Sequence, residues 1–157
     1  MLNDAYNMHL YMQLYKILPQ EMPMRRHAQL QPLSRSHHQT LRLARQLKQG
    51  QWDLADLRAK KLELSRHFTE EEDSFSSLVY GLADTHPIMT QLSRMIFDHI
   101  VIMAMISRIE HSKSMKNPEQ IIALGVLLSE HITFEERELF PSLEHCCLIN
   151  STPYGLM

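Results

Sequence analysis

Apolar residues recur three and four apart over five long stretches of the chain, the spacing of helices with one buried face. From residue 3 to 18, Tyr6, Met8, Leu10, Tyr11, Leu14, Ile17 and Leu18 give a wide apolar and aromatic face. Asn3 or Asp4 suits its cap and Pro19 stops it. Pro19, Pro23 and Pro32 mark residues 19–32 as a linker or an extended wrap. The second stretch runs from about Leu33 to Gln49, with Leu33, His37, Leu41, Ala44 and Leu47 on one face and Gly50 as its C-terminal cap. The third starts at Asp53 and runs to about Tyr80, where Gly81 ends it; Leu57, Leu64, His67, Glu71 and Leu78 share its stripe. The fourth opens on Pro87 and reaches about Ser112, with Leu92, Met95, Ile96, His99, Ile102, Met103 and Ile106 facing inward. The fifth begins with Asn117 as cap, Pro118 at the first helical position and Gln120 where a capping box needs it. Leu124, Leu127, Leu128, His131, Glu135 and Leu139 form its inner face, and Pro141 is expected to kink or end it.

Short connections between the last four helices force antiparallel neighbours. The pattern therefore predicts an all-α fold, an up-down four-helix bundle with an extra N-terminal helix. The expected organisation is a helix and Pro-containing linker over residues 1–30, the bundle over 31–147 and a loose tail over 148–157.

The bundle repeats itself. His131-Ile-Thr-Phe-Glu135-Glu136 lies 64 residues after His67-Phe-Thr-Glu-Glu71-Glu72, and His99 lies 62 residues after His37. Ser36-His37 matches Asp98-His99 in position and in the apolar residues four before and four after. Each half thus supplies one lone His and one His-x-x-x-Glu, and residues four apart lie on one helix face. Imidazole nitrogen and carboxylate oxygen side by side suit a transition metal. His37, His67, Glu71, His99, His131 and Glu135 are the candidate ligands, enough for two divalent ions with both carboxylates bridging and positions left open. The next residue on each helix, His38, Glu72 or Glu136, is the alternative at three of these places; the shared phase of His37 and His99 favours His37. His86, ahead of Pro87, reads as a loop or capping residue. His9, His27, His111 and His145 read as solvent-facing, and Met95, Met103 and Met105 as core.

Composition narrows the setting. With 157 residues, 44% hydrophobic and 22% charged, the chain suits one compact domain. A net charge of −2 and no basic run argue against nucleic acid as a partner. The two cysteines, Cys146 and Cys147, are neighbours and build no disulfide framework, which points to a reducing, cytoplasmic compartment. No apolar run is long enough for a membrane span, and the N-terminus lacks the pattern of a signal peptide. The aromatic N-terminal helix is a candidate dimer face or a cover for the bundle.

Four phrases together resemble the hemerythrin family in its bacterial cation-binding branch. They are Leu33-Ser-Arg-Ser-His37-His38, His67-x-x-x-Glu71-Glu72, His86-Pro87 followed by Asp98-His99, and His131-x-x-Phe134-Glu135-Glu136-Arg137-Glu138-Leu139-Phe140-Pro141. The resemblance spans about residues 30–145. It implies two non-haem iron ions, oxo- or hydroxo-bridged, that bind O₂ or react with NO or peroxide, in a carrier, a sensor, an iron store or an iron-delivery protein. Oxygen-carrying members place a fifth His four residues after the one matching His99, where this chain has Met103. Members that repair iron–sulfur clusters carry an added Cys-containing N-terminal domain, for which no room is expected here.

A metal- or O₂-binding protein is favoured over an enzyme. A di-iron oxidase or ferroxidase commonly uses Glu-x-x-His pairs, and none of the 12 Glu is followed by His three residues on. A metal-free interaction module would leave four His and two Glu facing a core without partners, which is costly.

Overall fold

The computed structural model describes residues 26–111 and 117–148. The expected N-terminal helix and the tail beyond Leu148 lie outside the described residues. Four helices form the bundle: α1 Gln31–Lys48, α2 Leu54–Leu78, α3 Pro87–His111 and α4, which begins as Pro118–Phe134 and continues to Leu148.

The ends of these helices follow from local chemistry. Asp53 caps α2 by accepting from the Asp56 N–H at 2.8 Å. Asn117 caps α4 by accepting from the Glu119 N–H at 2.9 Å, with Pro118 at the first helical position as expected. Gly50 and Gly81 sit at φ +69° and +88° just beyond α1 and α2, where a side chain would be strained. Pro32 belongs to α1 rather than to a linker. It occupies the first turn, where a missing N–H removes no helical bond.

Pro141 does not end α4. Phe134 is followed by a π-turn over Glu135–Leu139, in which the Phe140 N–H closes on the Glu135 carbonyl five residues back. The widened turn makes room for the Pro141 ring and absorbs its missing donor, so the helix passes through Phe140–Leu143 and a second π-turn over Glu144–Leu148. Leu148, its last described residue, is helical and 8% exposed.

The apolar core is split in two. One cluster gathers Leu30, Leu33, Phe75, Val79, Met95, Leu139, Phe140 and Leu143 at the end where α1 starts and α4 finishes. The other gathers Leu43, Leu47, Leu57, Leu64, Ile102, Ile106, Leu124 and Leu128. On every helix the candidate ligands fall between a residue of the first cluster and a residue of the second. They form a polar layer sealed above and below by side chains whose burial contributes about 1.5–3 kcal/mol each. Arg26 ties the chain entering α1 to the end of α4, with guanidinium bonds to Glu136 at 2.7 Å and Glu144 at 3.1 Å.

The seams between helices are unequal. α1 and α4 approach most closely, and α1 and α2 least, among the four neighbouring pairs. The close seam depends on Gly125: a Cβ there would lie 2.7 Å from the Ala44 carbonyl oxygen.

Candidate metal centre

His37 on α1, His67 and Glu71 on α2, His99 on α3, and His131 and Glu135 on α4 converge at the middle of the bundle. All six are buried, Glu71, His131 and Glu135 at 0% exposure. The neighbours held open as alternatives lie elsewhere. His38 is exposed, and the Glu72 and Glu136 side chains are 41% and 28% exposed.

The two carboxylates straddle two imidazole pairs. Glu71 Oε1 is 3.1 Å from His37 Nε2 and 3.2 Å from His67 Nε2. Its other oxygen, Oε2, is 3.4 Å from His99 Nε2. Glu135 repeats the arrangement from the opposite wall, with Oε2 3.2 Å from His37 Nε2 and Oε1 3.3 Å from His131 Nε2 and 3.7 Å from His99 Nε2. Donor atoms of Glu71, His99, His131 and Glu135 all lie within 4.8 Å of one another, as do those of His37, His67 and Glu71.

Many of these atoms have no hydrogen-bond partner. His67 Nε2, His99 Nε2, His131 Nε2, Glu71 Oε2 and both oxygens of Glu135 are buried and unsatisfied. A buried polar atom left so costs about 1–3 kcal/mol, more when charged. A core that gathers six such atoms at one point fits a bound cation, which takes their lone pairs together.

The outward ring nitrogens are held by a second set of residues. His37 Nδ1 meets Glu136 Oε1 at 2.7 Å, and His99 Nδ1 meets Glu72 Oε1 at 2.8 Å. His67 Nδ1 meets Ser36 Oγ at 3.0 Å. The Ser36 hydroxyl donates to the Leu33 carbonyl at 2.7 Å, so its oxygen is left to accept from His67. His131 Nδ1 lies 3.5 Å from Asp98 Oδ2, an ion-pair distance rather than a hydrogen bond. A proton kept on Nδ1 leaves the Nε2 lone pair directed at the centre, the tautomer a metal needs. The doubled carboxylates of the sequence thus divide their work. Glu71 and Glu135 point inward, while Glu72 and Glu136 each cross to the lone His of the other half. Sequence reasoning treated Glu72 and Glu136 only as substitutes for their neighbours; the Glu-Glu pair present in both copies was the available signal for two roles.

Opposite charges in the cluster shift one another. Burial lowers the His37 pKa, but its contacts with Glu135, Glu136 and Glu71 outweigh burial and hold it up at about 11. Burial also lowers that of His99, and Glu135, Glu71 and Glu72 raise it to about 9. Burial raises the Glu71 pKa, yet His37, His67 and His99 hold its carboxyl well below the usual range. Glu136, raised by burial, is brought down to about 2 by His37, Ser34 and Arg26. Buried anionic oxygens in this layer demand positive charge, from protons or from a metal.

His86 is a loop residue whose Nδ1 accepts from the Ile88 N–H at 3.2 Å. His111 and His145 are exposed, whereas His27 is half-buried because its backbone N–H donates to Glu144 at 2.6 Å. Met95 is core in the first cluster, and Met103 and Met105 pack half-buried against the second. No helix of the described residues is long and apolar enough to cross a membrane.

A family model described as the hemerythrin HHE cation binding domain matches residues 31–143, which takes in all four helices and all six converging side chains. No curated protein and no solved structure matches the chain.

Proposed function

The chain belongs to the hemerythrin HHE cation-binding family, and from that premise we propose that it is a non-haem di-iron protein whose partner is a small oxygen- or nitrogen-containing molecule: O₂, NO or peroxide. The observation that carries the reading is the straddling of two imidazole pairs by Glu71 and Glu135. One ion would be held by His37 and His67, the other by His99 and His131, with both carboxylates shared. Six residues leave positions free on metals that take six ligands. When bound, iron supplies reversible electron transfer and an open place for the small molecule. The chain's own part is to fix three imidazoles through Glu136, Ser36 and Glu72, with Asp98 standing beside the fourth. It also keeps bulk water out with the apolar clusters on either side.

Binding rather than turnover fits the surroundings. Among the described residues, the buried ionisable side chains that meet at the centre are the six candidate ligands. Iron analysis and the absorption spectrum of the aerobically purified protein test the proposal. About two irons per chain with near-ultraviolet ligand-to-iron bands are expected. Protein grown in iron-rich medium and still free of metal would refute it, and steady turnover of Fe(II) would move it to the ferroxidase class.

A further inference from the structure

The two seams that flank the centre have matched positions and opposite chemistry. Between α1 and α2 lies a cavity of about 50 Å³ walled by Ser36, Thr40, Leu43, Leu64 and His67. Gln39, Lys60 and Glu63 stand at its outer side, the Lys60 and Glu63 side chains 37% and 49% exposed. The repeat places Val101, Ile102, Leu124 and Leu127 where the first seam has Gln39, Thr40, Lys60 and Glu63. Ile102 and Leu124 are 0% exposed and belong to the apolar core. The histidines behind the two seams differ in the same sense, His67 being 7% exposed and His131 0%.

We propose that the α1/α2 seam is the door of the centre and that the α3/α4 seam is sealed, so that external molecules arrive at the His37/His67 side. The proposal names a route and a size class, and it rests on the di-iron reading only for its iron-based readout. Water takes up roughly 30 Å³ in the liquid. A space of about 50 Å³ therefore has room for water, a diatomic gas or hydrogen peroxide. The lining suits uncharged, weakly polar visitors: Ser36 and Thr40 share the wall with Leu43 and Leu64, and the Lys60–Glu63 pair at the outer side is charge-neutral. His67 forms the inner wall. Its hydrogen bond to Ser36 sets the ring that a visitor must pass.

Two measurements test the route. The first needs no substitution and no iron. Dissolved O₂ is paramagnetic and broadens NMR signals of methyl groups that it reaches. In the zinc-loaded protein, or the metal-free protein should zinc not bind, the methyls of Thr40, Leu43 and Leu64 are expected to broaden about two-fold or more beyond those of Ile102 and Leu128, as open sites do relative to sealed ones. Equal broadening on both seams overturns the proposal whether or not the protein holds iron. The second reads NO association with the Fe(II)-loaded protein by stopped flow. Thr40→Ile places in the door the side chain found at the matched sealed position. It should slow association about ten-fold with iron content and helicity unchanged. Ile102→Val, which thins the opposite seam, should leave the rate within about two-fold. An unslowed Thr40→Ile that still carries its iron overturns the route. Absence of iron refutes the di-iron reading alone and leaves the methyl measurement to decide the door.

Discussion

The first helix pair and the second pair of this bundle carry the same polar layer on unlike supports. His37 corresponds to His99, His67 to His131, Glu71 to Glu135 and Glu72 to Glu136, and each residue makes the same kind of contact as its counterpart. Around that layer the halves diverge. Ser36 holds His67 where Asp98 stands by His131. Gly125 lets α4 sit tight on α1, whereas the matched Lys61 of α2 reaches across to Glu110 of α3 with Nζ to Oε2 at 2.5 Å. The π-turn that follows Glu135 has no counterpart after Glu71, which sits in regular helix. Geometry at the centre permits little change, because four imidazoles and two carboxylates must meet at one place. The seams need only fill space, and they can differ enough to make one side tight and the other open.

The largest expected effect treats the halves as one. If the polar layer is a shared metal site, chelating the metal should loosen both halves together. With metal at roughly 100 times its dissociation constant, linkage contributes about 2.7 kcal/mol, which for a chain of this size is a fall of roughly 5–10 °C in melting temperature on chelation. Scanning calorimetry with and without a chelator reads it. Identical melting of the two samples would place the metal outside the bundle core.

A smaller effect separates the seams. Gly125→Ala should destabilise the fold by about 1–3 kcal/mol, since the new methyl meets the Ala44 carbonyl at 2.7 Å and backbone cannot yield cheaply. The gain of roughly 1 kcal/mol in helix propensity from removing a glycine offsets only part of this. Urea unfolding measures it. A stabilised Gly125→Ala would mean that α1 and α4 are not so closely packed.

The smallest effects compare the residues behind the imidazoles. Removing a carboxylate that holds a metal-bound His weakens metal binding by about 10–100-fold. Glu136→Ala, which frees His37, and Glu72→Ala, which frees His99, should fall in that range. Ser36→Ala should cost less, because a hydroxyl holds its imidazole less firmly than a carboxylate does. All three should still retain both ions at saturating metal. Competition against a coloured chelator ranks them, and a larger loss for Ser36→Ala than for Glu72→Ala would reverse that order.

Much of this was legible in the sequence because helix periodicity and ligand spacing obey the same geometry. The interval from His67 to Glu71 both predicts a helix and puts two donors on one face. Asn117-Pro118 and Asp53 announced helix starts through their capping chemistry, and the structure has both. Of the two outcomes open for Pro141, a kink or an end, the helix does not end there, because a proline after a π-turn reads like any helix-ending proline in one sequence. Pro32 misled for a related reason: the first turn of a helix and a linker both tolerate the missing N–H. The pairing of Glu136 with His37, 99 residues away, was beyond reach, since it depends on which helices become neighbours and how far each is rotated. The cavity beside His67 was hidden for the same reason; it exists because α1 and α2 stand apart, a spacing that no local pattern encodes.

The central claim is that Glu71 and Glu135 are shared by two ions while each imidazole serves one. Iron per chain, measured on four folded variants, tests it most directly. Glu71→Ala and Glu135→Ala should each lower bound iron from two toward none, because each carboxylate faces both imidazole pairs. His99→Ala should leave at least one iron, held by His37 and His67, and Glu136→Ala should keep two, since that carboxylate meets the outer nitrogen of His37 and not the centre. Loss of both irons from Glu136→Ala with retention in Glu135→Ala would contradict the inward assignment of Glu135, and two irons in all four variants would contradict the shared centre itself.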